Sequence, residues 1–310
     1  MGTSTSDFEL YNYTPSTSAA ALFAAVFALS LLVLSVEVIV LQRRAKKTIS
    51  VTMDDRLNHS EYSMVGLSRK KPSSKFVCLI VGCGLETIGY IARAYSSKNQ
   101  DKILPYVIQS MFVLVAPALI AASIYMIFGA MLSLLDCSSL SIIPARFNTM
   151  FFVCGDIFSF LLQCGGGGLM AKSSSQKTGE ILAIIGLIVQ LVFFGFFLLT
   201  EIRFLILARG RADLTLKFGN KWKIINWTLI VSSIFILIRC IVRTAEFCQG
   251  REGYLMSHEW TIYVFDALFM TASVWVFAVS LPFASLFDLN MVKMAVNEFK
   301  VVPSEYESRY

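Results

Sequence analysis

The 310-residue sequence predicts an all-α, polytopic membrane protein built as a bundle of seven transmembrane helices. Three observations carry that reading. Apolar residues make up 56% of the chain and charged ones 15%, against about 45–50% and about 25% in soluble domains. Seven apolar stretches are each long enough to cross a hydrocarbon core of ~30 Å as a helix. Lys and Arg collect in alternate connections between them, as cytosolic loops do. Hydrocarbon offers backbone polar groups no partners, so continuous apolar runs of this length are helices. A soluble enzyme, a disordered tail and a β-barrel are disfavoured.

The first span, Ala19–Leu41, is followed by a basic cluster rather than preceded by one, so it reads as a retained anchor and not as a signal peptide. The second, Phe76–Tyr95, carries Glu86, Gly89, Tyr90 and Arg93 at i, i+3, i+4 and i+7, one helical stripe. The third, Ile103–Phe128, holds Gln109 and Pro117, and the proline is expected to kink it. The fourth, Thr149–Met170, carries the stripe Asp156, Ser159, Gln163 and ends in the run Gly165–Gly168. That run reads first as a close helix contact and second as a broken helix end facing a ligand. The fifth, Glu180–Ile202, contains Gln190; the sixth, Ile224–Glu246, carries Arg239, Arg243 and Glu246 on one face. The seventh, Thr261–Phe283, continues a stripe of Glu259, Tyr263, Asp266 and Met270. Residues 1–18 precede this seven-helix domain (19–283), and residues 284–310 follow it as a tail.

Orientation follows from the basic residues. The first, third and fifth connections and the tail hold 19 Lys and Arg, the N-terminal segment and the other connections five. The N-terminus is expected outside and the C-terminus in the cytosol. The net charge of +6 is then mostly this bias, and no nucleic-acid partner is implied. Asn12-Tyr13-Thr14 is a glycosylation acceptor on the outer side, weakened by Pro15. The seven cysteines are an odd number; with Cys78, Cys83, Cys154, Cys164 and Cys240 in spans, buried thiols are the first reading, and a Cys164–Cys248 pair near the outer side is the alternative.

An ionised side chain in mid-membrane costs roughly 2.5–3.5 kcal/mol on the lenient scale, so it faces a partner or a water-filled cavity. Depth counted along the spans brings Arg93, Gln109, Gln163, Arg239, Arg243, Glu246 and Asp266 to one outer layer, with Glu86 near the middle and Asp156 lower. The expected site is an amphiphile-sized chamber open outward or to the outer leaflet. Its substrate-binding or translocation residues are Glu86, Tyr90, Arg93, Gln109, Asp156, Gln163, Arg239, Arg243, Glu246 and Asp266. Glu86, Asp156 and Asp266 are the candidates for proton coupling. The competing reading makes Arg239–Asp266 a structural bridge and lets Arg243 and Glu246 snorkel to the interface.

Several chemistries are excluded. The two histidines, His59 and His258, fall on opposite sides, so no multi-histidine zinc site can form. The seventh span has no lysine for a retinal Schiff base, and no phosphate-binding loop is present. Neither an enzyme nor a cofactor is expected.

The stripes also carry a resemblance. Glu86-Thr87-Ile88-Gly89-Tyr90-Ile91-Ala92-Arg93 resembles the E-x-x-G-Y-x-x-R signature of the fungal lipid-translocating exporter family, the RTA-like proteins related to aminocholesterol resistance. Ala116-Pro117-Ala118, Asp156-Ile157-Phe158-Ser159, Arg239 through Arg243 to Glu246-Phe247, and His258-Glu259-Trp260 leading to Asp266 are similar in the same order. Where relatives often carry His-Pro-Gly after the last span, this chain has Leu281-Pro282-Phe283.

The resemblance implies seven spans with an outside N-terminus and resistance to toxic amphiphiles. In some relatives it implies release of sphingoid bases or movement of tetrapyrroles. The expected function is therefore an exporter or translocator of amphiphilic molecules in the plasma membrane, or in an endomembrane. Its partners would be the lipid bilayer and an amphiphilic small molecule. The alternative is a seven-helix sensor or receptor-like regulator that signals through Arg203–Lys223 and the tail.

Overall fold

Apolar stretches joined by short connections fold back on one another, and an up-and-down bundle results. The computed structural model describes residues 16–57, 72–98, 103–137, 140–170, 175–250 and 253–299. The first span belongs to α1 (Thr17–Leu57), whose 41 residues extend about 60 Å at 1.5 Å per residue. It therefore continues beyond the apolar run, and Arg43, Arg44, Lys46 and Lys47 ride on the continuing helix. Spans two to six are α2 (Val77–Lys98), α3 (Ile103–Leu134), α4 (Ala145–Met170), α5 (Gln176–Arg209) and α7 (Lys221–Gln249). Short helices α6 (Ala212–Phe218) and α8 (Tyr254–Ser257) occupy the connections. The seventh span is composite: one turn, α9 (Glu259–Thr261), a π-helical segment Ile262–Leu268, then α10 (Phe269–Ser280). Among the described residues seven helical stretches are thus long and apolar enough to cross a membrane, and the chain is a multi-pass membrane protein.

Successive spans alternate in direction. Thr17 at the start of the first span hydrogen-bonds Ser97 at the end of the second at 2.8 Å. At the opposite end, Lys221 pairs with Asp288 at 3.1 Å and Lys293 with Asp136 at 2.7 Å. These are called below the N-terminal end and the basic end. The closest helix pairs are α2 with α3 and α4 with α5.

The second of these pairs explains the glycine run. A Cβ on Gly166 would stand 2.6 Å from the Gly179 carbonyl oxygen, and one on Gly179 2.5 Å from that of Gly166. A Cβ on Gly186 would meet the Ser159 carbonyl at 2.8 Å. Backbones here touch with no room for a side chain. Gly167 and Gly168 have nothing within 4 Å, and α4 stays helical to Met170. The close-contact reading holds, and one glycine of the four carries it.

Two expectations change, at the end of the seventh span and in the tail. The seventh span ends at Ser280 rather than Phe283, because Pro282 has no N–H to carry the helical ladder on to the Ala278 carbonyl. Helix α3 is continuous through Pro117, which leaves the expected kink open, since a membrane helix can pass a proline when another donor satisfies the freed carbonyl. The tail does not simply leave the bundle: Leu286–Phe299 forms α11, which buries Leu286, Phe287 and Leu289 and stacks Phe287 on Phe76 at 6.2 Å. All seven cysteines are free, so Cys164 and Cys248 do not pair. Asn12 lies outside the described residues.

Candidate functional site: a buried ionic layer

The polar stripes of the second, sixth and seventh spans converge near the N-terminal end. Asp266 lies in the π-helical segment, an insertion that turns residues out of α-helical register and recurs at functional sites. It accepts from Arg239 Nε and, at 3.1 Å, from Arg243 Nη2. Arg243 Nη1 reaches Glu246 at 3.1 Å. Arg239 Nη2 donates to the Val113 carbonyl at 2.9 Å. That carbonyl is free because residue 117, its helical partner four positions on, is a proline without an N–H. Pro117 and Arg239 are therefore two halves of one contact between the third and sixth spans.

A second cluster caps the first. Glu259 accepts the Ser16 backbone N–H on both oxygens, at 2.8 and 2.9 Å, and Arg93 Nη2 at 3.3 Å. Tyr263 OH meets Glu259 at 3.0 Å and accepts from Arg93 Nε at 3.1 Å. The Arg93 guanidinium also lies 5.2 Å from the Tyr263 ring centroid, within cation–π range. Phe23 stacks on Tyr263 and Phe27 on Tyr90, both at 5.5 Å, which seats the first span against this cluster.

Around these contacts sit polar atoms with no hydrogen-bond partner among the described residues: Glu86 Oε1, Tyr90 OH and Gln109 Oε1. Glu86 is within electrostatic reach of Asp266, Arg239 and Arg243, and Tyr90 of Arg93 and Arg243. Gln109 lies one turn from Val113 on the same face of α3. Glu86, Tyr90, Arg93, Arg239, Arg243, Glu246 and Asp266 are thus brought together as the sequence suggests.

The geometry departs from an open chamber. The charged groups contact one another directly, so the layer is filled by its own side chains, and the Arg239–Asp266 bridge of the competing reading is present. Opposite charges in a low-dielectric interior gain more from contact than from standing apart. A small apolar recess does exist, but at the basic end, between Phe76, Ile127, Ile225, Phe277 and Leu281.

Two expected residues belong elsewhere. Gln163 Nε2 donates to Gln190 at 2.9 Å, a clasp between the fourth and fifth spans. Asp156 faces Tyr125 rather than the arginines, and neither of its oxygens reaches hydrogen-bond geometry. Missed altogether is Glu201, fully buried in the fifth span. It is the last charged residue of an apolar run and so looks like a span boundary. Its place on the stripe Phe197, Glu201, Phe204, Leu205, Ala208, the buried face of the helix, was the signal for it.

Residues 79–289 match the family model described as RTA1 like protein. The chain belongs to this family. Among its RTA1-like relatives in Saccharomyces cerevisiae, Protoporphyrin uptake protein 1 is 45% identical over 294 residues, covering 93% of this chain and 97% of that protein. Protein RTA1 is 40% identical over 284 residues, 91% of this chain and 88% of the relative. Sphingoid long-chain base transporter RSB1 is 26% identical over 235 residues, 64% and 60% of the two chains. No solved structure matches. Membership supports a transport-type role in a membrane.

Proposed function

We propose that this protein exports or translocates amphiphilic molecules, a lipid, sphingoid base or similar toxic compound, across the plasma membrane and so confers resistance on a fungal cell. In this reading the N-terminus lies outside and the C-terminus in the cytosol, and molecules are moved without chemical conversion. The names of two relatives, a protoporphyrin uptake protein and a sphingoid long-chain base transporter, support the class of cargo. The observation that carries the reading is the unmet polar capacity beside the arginines: Glu86, Tyr90 and Gln109 are buried, each with an atom that lacks a partner among the described residues. Each such group costs about 1–3 kcal/mol, so their clustering favours an occupant with a polar head. Glu86 would accept from an amine or hydroxyl, and Arg239 and Arg243 would meet an anionic or hydroxylated headgroup.

The test is transbilayer movement of a fluorescent sphingoid base in liposomes holding the purified protein. Wild type should accelerate it over protein-free liposomes. Arg239→Ala and Glu86→Gln, inserted in equal amounts, should each lose most of that acceleration. Wild-type liposomes no faster than empty ones, for this base and for a tetrapyrrole, would sink the proposal. Resistance is checked by a toxicity panel on cells with and without the protein.

A further inference from the structure

A second polar cluster lies toward the basic end, apart from the arginine layer. Four spans contribute to it: Tyr125 from the third, Asp156 from the fourth, Glu201 from the fifth and Ser233 from the sixth. Each sits about two to three helical turns in from that end. Ser233 stands beside Glu201, and Tyr125 lies beside Asp156 and within electrostatic reach of Glu201. All four are at least nine-tenths buried, and among the described residues neither oxygen of either carboxyl, nor the Tyr125 hydroxyl or Ser233 Oγ, closes a hydrogen bond of full geometry, although Ser233 lies close enough to Glu201 and Tyr125 to Asp156 for a slightly longer one.

The contrast with the arginine layer matters. There Glu246, Glu259 and Asp266 each touch a guanidinium. Here the groups acting on Glu201 and Asp156 are Tyr125, Ser233 and Cys240, none of them a cation. Arg203, on the same helix as Glu201, is exposed on another face. A carboxylate met only by hydroxyls in such surroundings is far more costly than a neutral polar group, so a bound cation would relieve it. The walls are Phe152, Phe194, Phe197 and Phe204, all essentially inaccessible. Tyr125 packs edge-on against Phe197 with 4.4 Å between centroids. Rings in direct contact on this side favour a small occupant over a lipid headgroup.

We propose that Glu201, with Ser233 and the Tyr125–Asp156 pair, forms a binding site for a small monovalent cation, a proton or a sodium ion. A sodium ion would take its oxygens from the carboxylate and the hydroxyls. A proton would add to a Glu201 oxygen, and the new O–H would donate to Ser233 Oγ; release reverses the step with no other bond changed. Its use as a coupling ion rests on the proposed transport function, but the binding does not.

The experiment uses the full chain purified in detergent, with no transport substrate present. One arm measures the apparent Tm in sodium, potassium and choline chloride. The other records the infrared carbonyl stretch of protonated carboxyl groups across pH. A sodium site gives a rise of several degrees specific to sodium, absent in Glu201→Gln and needing about tenfold more sodium in Ser233→Ala. A proton site gives a protonated-carboxyl band that Glu201→Gln removes, Ser233→Ala shifts and Asp156→Asn leaves in part.

If Glu201→Gln does not yield folded protein, the Ser233→Ala shift decides alone. Wild type showing neither the sodium effect nor a band sensitive to these variants overturns the proposal. Liposomes that move no amphiphile leave the binding result standing, so the two readings fail separately.

Discussion

Asp266→Asn is the sharpest test of the ionic layer. The amide keeps the carboxylate's shape but removes its charge and turns a donor toward two guanidiniums that already donate there. Arg243 keeps Glu246 at 3.1 Å as a counter-charge. Arg239 keeps only the Val113 carbonyl at 2.9 Å, and its side chain is 6% exposed. One guanidinium is therefore left buried with no carboxylate in contact, Glu86 lying only within electrostatic reach, a change that costs about 3–5 kcal/mol. At roughly 2–4 °C per kcal/mol, the apparent Tm in detergent, read by tryptophan fluorescence, should fall by roughly 6–20 °C. The double variant Arg239→Met/Asp266→Leu removes both charges together and should recover most of the loss, because replacing a whole buried pair by apolar groups is often neutral. An Asp266→Asn protein melting within about 2 °C of wild type, or a double variant less stable than the single one, would refute the reasoning.

Other outcomes follow from packing and topology. Gly166→Ala should cost about 1–3 kcal/mol, since its new methyl meets backbone that cannot swing aside, whereas Gly167→Ala should be neutral or stabilising by about 0.5–1 kcal/mol; thermal unfolding of the two side by side checks this. Phe287→Ala should lose about 3–5 kcal/mol and loosen α11, read as faster proteolysis of the C-terminal segment. Cys248 is exposed near the N-terminal end, so on intact spheroplasts a membrane-impermeant maleimide should label it from outside; labelling only after permeabilisation would invert the orientation.

Much of this was legible because membrane physics leaves few options. Each expected span lies within a helical stretch of the structure, save the last few residues of the seventh, since continuous apolar runs have no other way to satisfy their backbone. The stripe Glu86, Gly89, Tyr90, Arg93 is buried as one face, as α-helical spacing requires. What spacing could not show is pairing. Asp266 and Arg239 were placed at one depth, but contact rather than a water-filled gap between them depends on the π-helical segment, and nothing in the pattern of the seventh span marks that insertion. Glu201 was hidden by its position, for a carboxylate at the end of an apolar run looks like an interface residue until its buried neighbours are known. Ser16 is joined to Glu259 by fold alone, 243 positions apart.

The way the layer is tied limits how the bundle can open. Arg239 holds three spans at once: the sixth through its own backbone, the third through Val113 and the seventh through Asp266. Any gap between the sixth and seventh spans wide enough for a headgroup must take Asp266 from both arginines, leaving Asp266 and Arg239 without a contacting counter-ion while Arg243 keeps Glu246. A ligand that supplies an acceptor to the arginines offsets that separation, whereas a purely apolar one leaves them uncompensated in hydrocarbon. Selectivity for molecules with a polar head then needs no shaped pocket in the closed conformation; it follows from which entrants can replace the contacts they break. The strap from Ser16 to Glu259 adds a second condition, because the first span must release the end of the seventh before that end can move. A pure hydrocarbon probe should accordingly neither stabilise the protein nor compete with the labelled sphingoid base, while an alkyl phosphate of the same chain length should do both. Equal competition by the two would show that the arginine layer plays no part in admitting cargo.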